Sequence, residues 1–290
     1  MQTQHNQTAI RLLTLSMALF AIEDMFIKLA STQLNIGQLI LSIAVFYFVF
    51  YFGVARFKRV DIQWRRMADK PVLIRNFGDG VASVGFVGAF SYGQITQATA
   101  ILQAAPLLTT LGAVLFLGDS VGPRRWLAIL LGLFGVLLIV QPWGSAFDPI
   151  SLLAVVGVFG IALRDMISRS VDVNVNSYTV TISMTLFSVP LSLGVMLLLG
   201  GWQWPDGNTW LFLVLAASVG AVANYLILSA FRLGETAVVA PFRYSRMVFV
   251  LLIGYFVFKE IPSLWMLVGS AVVIGTGWYT FHRERITRGV

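Results

Sequence analysis

The sequence predicts an all-α integral membrane protein, in which ten transmembrane helices form two inverted five-helix repeats around a central cavity. Three observations lead to this fold class. The first is composition, because 58% of the 290 residues are hydrophobic and 11% are charged, whereas soluble domains carry about 25% charged residues. The second is the distribution of Lys and Arg among the loops. The third is an internal repeat with a spacing of 141 residues.

Ten apolar segments follow one another along the chain, and a helix needs about 20 apolar residues to cross a bilayer. We predict spans at about 10–29, 35–55, 73–92, 97–117, 126–141, 150–169, 178–199, 209–230, 237–258 and 262–281. The run that opens the first span resembles the core of a signal peptide. Glu23, Asp24 and Lys28 follow it instead of a small-residue cleavage site, so we interpret the segment as a retained span.

The basic residues alternate between loops. Lys and Arg lie before span one, after spans two, four and eight, and in the C-terminal tail. The intervening loops 30–34, 93–96, 142–149 and 200–208 hold no Lys or Arg, and 259–261 holds Lys259. Because basic loops stay in the cytoplasm, we predict a multi-pass protein of the bacterial cytoplasmic (inner) membrane with both termini cytoplasmic.

Several classes of chemistry find no support in the sequence. The chain has no cysteine, which excludes disulfides, thiol chemistry and iron–sulfur ligation. Its net charge of +7 arises from loop residues and therefore reports topology rather than nucleic-acid binding. The two histidines, His5 and His282, lie in the tails, and no GxxxxGK[ST] phosphate-binding loop occurs. We expect no catalytic residues, no metal site, no cofactor and no nucleic-acid partner.

The internal repeat appears when the sequence is shifted against itself by 141 residues without gaps. Each copy holds five spans, so the second copy enters the membrane from the opposite side, as in many secondary transporters that bind substrate near the midplane. We predict an N-terminal unit of residues 1–141 (helices about 9–141) and a C-terminal unit of residues 142–290 (helices about 150–282). Matched pairs include Ala21 and Ala162, Asp24 and Asp165, Met25 and Met166, Lys28 and Arg169, Gly93 and Gly234, and Asp119 and Glu260.

Three stretches resemble the EamA family of the drug/metabolite transporter superfamily. They are PLLTTLGAVLFLGDSVGPRRWLAILLGLFGVLLIVQP (106–142), ALRD followed by SR (162–165 and 168–169), and GETAVVAPFRYSRMVFVLLIGYFVFKEIPSLWMLVG (234–269). The likeness covers essentially the whole chain and is greatest to the subgroup often labelled as S-adenosylmethionine or riboflavin uptake proteins. Asp119 stands where the family usually has Glu, and Asp79 is unusual for the family. The resemblance implies a ten-helix bundle, a cavity open to one side at a time, and transport of small organic solutes.

Two deep acids mark span one. Glu23 and Asp24 lie about 13 residues into the span, which is roughly 20 Å at 1.5 Å per residue. Under the 141-residue offset, Glu23 corresponds to Arg164 and Asp24 to Asp165. A pseudo-two-fold axis would therefore relate an acid to a base. We hypothesise that Glu23 and Arg164 either lie on opposite walls of one cavity or pair directly.

Three acid–base pairs have the i, i+4 spacing that places both side chains on one helix face. A structural salt bridge within each helix is the interpretation that we favour, because charges inside a membrane usually find partners. For Asp79, a role as a cavity acid stays open. The pairs are Asp24 with Lys28, Asp165 with Arg169, and Arg75 with Asp79.

The stretch APFRYSRMVFVLLIG (240–254) carries two arginines into span nine. Arg243 lies about 9 Å and Arg246 about 14 Å from its start, on one helix face, at 1.5 Å per residue. Pro241 is expected to kink the helix, and Tyr244 adds an aromatic surface. The arginines either pair with deep acids and hold the two halves together, or they clamp a carboxylate or phosphate group of a substrate.

These features favour a secondary transporter that moves a small organic metabolite by alternating access. The solute would be amino-acid-like, nucleoside-like or otherwise amphipathic, with an anionic group. The alternatives are a lipid-modifying membrane enzyme, which lacks a visible nucleophile–base or metal set, and a channel, which lacks a visible filter sequence. A coupling proton and a homodimeric partner stay open. The candidate cavity residues are Glu23, Asp24, Asp79, Gln103, Arg164, Asp165, Asn224, Arg243, Tyr244 and Arg246.

Overall fold

A computed structural model describes residues 2–117, 122–144 and 147–287 and confirms the all-α membrane fold. Two short 3₁₀ helices, Trp64–Ala68 and Ala240–Tyr244, accompany the α-helices. In chain order, the α-helices of the described residues are α1 (Gln2–Ala30), α2 (Ile36–Phe57), α3 (Lys70–Tyr92), α4 (Ile95–Leu102), α5 (Ala105–Leu117), α6 (Pro123–Val140), α7 (Ser151–Ser168), α8 (Ser177–Leu198), α9 (Gly207–Leu233), α10 (Thr236–Val239), α11 (Ser245–Phe256) and α12 (Leu264–Thr287).

Each predicted span is occupied by helix. By length and hydropathy, five segments of the described chain could each cross a membrane. Helices α1 and α3 also have sufficient length, with 29 and 23 residues, but they carry the deep charged side chains. The five apolar segments are Ile36–Phe57, Ile95–Phe116, Ser151–Ser168, Ser177–Leu198 and Gly207–Leu233.

Spans four and nine are both interrupted. Span four breaks between α4 and α5, and span nine passes from α10 through the 3₁₀ segment Ala240–Tyr244 into α11. The break in span nine agrees with the kink expected at Pro241, whereas the break in span four was not anticipated. At the breaks, Gln103 Nε2 donates to the backbone oxygen of Tyr244 at 3.2 Å. These two residues are 141 positions apart, so the interruptions touch at equivalent positions of the two halves.

The main helix pairs join the two halves. Helix α1 packs on α9, α3 on α7, α2 on α8, and α6 on α12. The approach of α3 to α7 is close enough to require glycine, because a Cβ on Gly85 would lie 2.6 Å from the backbone nitrogen of Gly157. On Gly160, a Cβ would lie 2.5 Å from the backbone nitrogen of Ala82. Small residues thus bring the backbones together, as is common in membrane helix packing.

Candidate functional site

A cavity of about 1330 Å³ lies between the halves. Its walls come from α1, α2, α3, α7, α8, α9 and the 3₁₀ segment Ala240–Tyr244. Exposed residues at helix ends, among them Phe57, Lys58, Ser177 and Arg232, line it, so it reaches one end of the bundle. We call this the basic end, because loop 58–69 and the start of α3 place five basic residues there. They are Lys58, Arg59, Arg65, Arg66 and Lys70.

Glu23 lines the cavity from α1 and is 8% exposed. The hydroxyl of Tyr47 on α2 donates to Glu23 Oε1 at 2.6 Å. Gly220 on α9 lies directly against the carboxyl group, since a Cβ at position 220 would stand 2.5 Å from Glu23 Cδ and Oε1. Among the described residues, no Lys, Arg or His forms an ion pair with Glu23. A glycine therefore makes room for a carboxyl group that one tyrosine holds in place.

Arg164 on α7 is neutralised by two acids. Its Nη1 donates to Asp79 Oδ1 at 3.0 Å, and its Nε donates to Asp165 Oδ1 at 2.9 Å. The predicted partner of Asp79 was wrong, because Arg75 instead donates to Ser168 Oγ at 3.1 Å. The prediction treated α3 as an isolated helix. Because α7 packs closely on α3, Arg164 lies beside Asp79. Arg164 therefore forms the ion pair that was expected from Arg75, which is on the same helix as Asp79.

Asp24 is paired across helices rather than along its own. Its Oδ2 accepts from Arg246 Nη2 at 2.5 Å, and the two side chains are 6% and 18% exposed. The guanidinium also lies over the ring of Phe20, at 5.4 Å from the centroid. The predicted salt bridge of Asp24 with Lys28 was therefore wrong, whereas the pairing of Asp165 with Arg169 stays a prediction. Asp24 is held by an arginine that helix packing places next to it, and Asp165 is held by its sequence neighbour, Arg164.

Lys28 belongs to a network at the end of the bundle opposite the basic end. Its Nζ donates to Glu260 Oε1 and to the backbone oxygen of Gly93, both at 2.7 Å. The Glu260 carboxylate also accepts from the backbone nitrogens of Ile95 and Thr96 at 3.0 Å, and from Thr96 Oγ1 at 2.7 Å. We call these five residues the Lys28–Glu260 clamp. It joins the end of α1, the start of α4 and the loop between α11 and α12.

The clamp carboxylate is ionised over a wide pH range. Burial acts to raise the pKa of Glu260, but hydrogen bonds from Lys28 and Thr96 outweigh burial and hold the pKa below its ordinary value. A carboxylate at the start of α4 is also favoured by the free backbone N–H groups of that helix end. Asp119, which corresponds to Glu260 under the repeat offset, lies outside the described residues.

Arg243 is different from the other deep arginines. It lines the cavity with an exposed side chain. Its guanidinium lies over the ring of Phe231, at 5.5 Å from the centroid. Among the described residues, none accepts a hydrogen bond from it or forms an ion pair with it. Arg243 therefore presents a guanidinium to the cavity with its hydrogen-bonding capacity unused.

The cavity collects half of the ten candidate residues. Lining residues are Glu23, Asp79, Arg164, Asn224 and Arg243, whereas Asp24, Gln103, Asp165, Tyr244 and Arg246 are not among them. Both Glu23 and Arg164 line it, but they do not pair directly, since each is held by other residues. Whether these residues bind a solute stays a prediction.

The sequence analysis did not identify the cavity-lining tyrosines of α2, or Glu260 of the clamp, as candidate site residues. Tyr47, Tyr51 and Val54 line the cavity from α2, and Lys58 lines it directly after the end of that helix. The spacing of the three helical residues places them on one helix face, which is a readable signal once α2 is known to face the cavity. For Glu260, the match to Asp119 in the repeat was visible, but it did not identify Lys28 as the partner.

Comparisons with known proteins agree on one family. The model of the EamA-like transporter family matches residues 7–141 and 149–280. A riboflavin transporter of Vibrio cholerae is 32% identical over 181 residues, covering 62% of this chain and 60% of its own length. An S-adenosylmethionine uptake transporter of Rickettsia felis is 26% identical over 193 residues, covering 66% and 64%. These matches thus span less than two thirds of the relatives. A solved crystal structure, with 17% identity and a TM-score of 0.63, covers 95% of this chain and 98% of its own and shares the fold.

Proposed function

The chain belongs to the EamA-like transporter family, and from this premise we propose that it is a secondary transporter of a small organic metabolite with an anionic group. The solute would be amino-acid-like, nucleoside-like or otherwise amphipathic, and it would cross the bacterial cytoplasmic membrane by alternating access. One observation carries the proposal. Arg243 presents a guanidinium to the cavity, and no acid among the described residues pairs with it.

Charge compensation in the cavity favours a solute with an anionic group. A charged side chain within a membrane is costly and usually finds a partner. Arg164 and Arg246 have carboxylate partners at hydrogen-bonding distance, whereas Arg243 has an aromatic ring. A planar guanidinium with free N–H groups matches a carboxylate or a phosphate in a two-point geometry. The solute would supply the anion that the protein does not.

The cavity suits an organic solute of some size. At about 1330 Å³ it exceeds the range of roughly 300–1,000 Å³ that is usual for ligand pockets. Tyr47 and Tyr51 line it from α2, with ring centroids 5.9 Å apart. The names of the relatives, a riboflavin transporter and an S-adenosylmethionine uptake transporter, support a solute that carries a ring system, which tyrosines can contact face-on or edge-on.

Alternating access is supported by the unequal ends of the bundle. The cavity reaches the basic end, and the positive-inside rule would place that end in the cytoplasm, with both termini. At the opposite end, the Lys28–Glu260 clamp closes the bundle. The structure would then correspond to an inward-open state. For the solute to reach the other side, the clamp has to release while the basic end closes.

The test is solute flux in liposomes that contain the full chain. The panel consists of labelled amino acids, nucleosides, flavins and S-adenosylmethionine, each offered against an outward gradient of the unlabelled compound. We expect saturable, counter-substrate-stimulated uptake of at least one member with an anionic group. Arg243→Gln should reduce that uptake at least tenfold, and Arg243→Lys should restore part of it. Arg66→Gln, an exposed loop position paired with Asp69, serves as the matched control and should retain uptake.

Two results would overturn the proposal. One is linear, non-saturable flux of every panel member, which would indicate a channel or no transport. The other is equal loss of uptake in Arg243→Gln and Arg66→Gln, which would show that the guanidinium in the cavity has no special role.

A further inference from the structure

Within the described residues, two ionisable groups of the cavity wall stand out: Glu23 has no cationic partner, and Arg243 has neither an ion pair nor a hydrogen bond, whereas Arg75 donates to Ser168 and Asn76. Pairs formed within the protein account for the other deep acids, Asp24, Asp79 and Asp165. Glu23 is the acid that remains, and Arg243 is the deep guanidinium that donates to no described residue. Both line the same cavity. The protein thus presents an acid without a counterion and a guanidinium with unused donors to the space that a solute would occupy.

We propose that the transported solute is zwitterionic, with its acidic group on Arg243 and a protonated amine on Glu23. This inference rests on the proposed function, which requires the acidic group alone. It adds a second recognition site and narrows the substrate class to compounds that carry both charges. An amino acid, or a larger metabolite with an amino-acid end, meets this requirement.

The surroundings of Glu23 form a site for a hydrogen-bond donor with positive charge. Tyr47 donates to Oε1 at 2.6 Å, and within the described chain Oε2 receives no hydrogen bond. The guanidinium of Arg246 forms its ion pair with the neighbouring acid, Asp24, and no ion pair joins it to Glu23 in the described chain. An ammonium group has three donors. It can bind Oε2 and cancel the carboxylate charge in one contact.

The internal repeat offers a second, independent argument. Under the 141-residue offset, Glu23 corresponds to Arg164 and Gly220 to Asp79. At the contact between α3 and α7, Arg164 binds its counterion Asp79 at 3.0 Å. At the equivalent contact between α1 and α9, Glu23 lies against Gly220, which has no side chain. The position that holds a counterion beside Arg164 is therefore vacant beside Glu23, and we infer that the amine of the solute takes that role.

A proton is the competing occupant of Glu23. The other groups that face this carboxyl group are Tyr47 and Tyr51 on α2 and Asn224 on α9, together with the compensated Asp24–Arg246 pair. None of these supplies a free cation. A solute amine and a proton would both neutralise Glu23, but they predict different selectivity, and the experiment separates them on that ground.

The test compares solutes that share a skeleton and differ in charge. The first set is L-tryptophan, indole-3-propionate, which lacks the amine, and tryptamine, which lacks the acid. The second set is L-phenylalanine, 3-phenylpropionate and phenethylamine, and the third is S-adenosylmethionine with its decarboxylated form. Each compound is used to compete against uptake of the best labelled solute by the full chain in liposomes.

In the first two sets, we expect the zwitterion to compete at least tenfold better than the amine-free acid, and in the third set we expect S-adenosylmethionine to compete better than its decarboxylated form, which lacks the acid. Glu23→Gln should abolish the preference for zwitterions over amine-free acids while leaving competition by the amine-free acid unchanged. Arg66→Gln, which lies outside the cavity lining, leaves the Glu23 carboxylate in place and should retain the preference, so it is the matched control. Arg243→Gln should weaken competition by zwitterions and by amine-free acids to the same extent, because it removes the guanidinium that would bind the acidic group of both.

The inference is overturned if the amine-free acids compete as well as the zwitterions in the tryptophan and phenylalanine sets. It is also overturned if Glu23→Gln leaves selectivity unchanged but removes a dependence of uptake on an imposed pH gradient, because a proton would then occupy the site. In either case, uptake of anionic solutes would still stand, and with it the proposed function. If no solute is transported in any set or panel, the proposed function itself fails.

Discussion

The Lys28–Glu260 clamp offers the sharpest test of how the bundle closes, through the substitution Glu260→Gln. The carboxylate accepts hydrogen bonds from Lys28, from two backbone nitrogens and from the Thr96 hydroxyl. Glutamine has nearly the same shape but carries no charge, and its NH₂ group must face some of these donors. The substitution therefore leaves Lys28 as a partly buried cation without its counterion.

The magnitude follows from the burial of the pair. The side chains of Lys28 and Glu260 are 17% and 8% exposed, so solvent screening is slight. Removing one partner of a buried ion pair costs about 3–5 kcal/mol, and we use the lower value because Gly93 still accepts from Lys28. If the clamp forms only in the closed state, about 3 kcal/mol shifts the equilibrium towards opening by roughly 100-fold.

The absence of cysteine in the chain makes the assay direct. A single Ile27→Cys substitution places a thiol at a cavity-lining position next to Lys28 that is 6% exposed. A membrane-impermeant maleimide is added from either side of oriented vesicles. In the Glu260→Gln background, labelling from the clamp side should accelerate at least tenfold, whereas labelling from the basic end should not accelerate. Lys259→Gln, which removes a neighbouring exposed charge, is the matched control and should not alter either rate.

The same experiment has a pH dependence with a definite sign. Because the folded pKa of Glu260 lies below its ordinary value of 4.5, its contribution to the closed state is complete above 4.5 and is lost as the pH falls through the folded pKa. The difference between the wild type and Glu260→Gln should therefore be constant above pH 4.5 and shrink below it. Equal labelling from the clamp side in both proteins at neutral pH would refute the reasoning.

Other substitutions test the packing and the buried pairs, with thermal unfolding in detergent as the measurement. Gly85→Ala should cost about 1–3 kcal/mol by overpacking, because its Cβ would meet α7 backbone at 2.6 Å; an unchanged melting temperature would contradict the close approach. Asp24→Asn should cost about 3 kcal/mol by leaving Arg246 unpaired, and the double variant Asp24→Asn/Arg246→Gln should be more stable than the single one, whereas additive losses would argue against the pair. Asp79→Asn should cost less than Asp24→Asn, because Asp165 still neutralises Arg164, and an equal or greater loss would contradict that sharing.

Much of the fold could be read from the sequence because hydropathy, loop charge and the internal repeat are properties of segments. The charge pairs could not, because they depend on how each helix is rotated and on what packs against it. The i, i+4 rule considers contacts within one helix only, so it predicted Lys28 as the salt-bridge partner of Asp24. In the structure, Lys28 binds Glu260, which is 232 positions away. The partner of a deep charge is thus decided by tertiary packing, which spacing along one helix does not encode.

Comparing the two copies of the repeat distinguishes the positions that build the helix bundle from the positions that would recognise a solute. Where the two copies behave alike, they build the bundle: α1 on α9 mirrors α3 on α7, and Gln103 meets Tyr244 at equivalent positions. Where they differ, they place charge in the cavity. A symmetric sequence would put like groups on both sides of the pseudo-two-fold axis, and two carboxylates or two guanidiniums would repel each other.

The differences between the copies avoid that repulsion. One half contributes Glu23 where the other contributes Arg164, and Arg243 stands where the first half has Leu102. The resulting cavity has an acid, Glu23, at one position and a free guanidinium, Arg243, at another. The separation of charge in the cavity therefore arises at positions where the two copies carry different residues. If the polarity arises in this way, Arg243→Leu, which makes that position alike in both halves, should abolish the preference for anionic solutes while leaving the fold intact, because Arg243 forms no ion pair or hydrogen bond within the described residues.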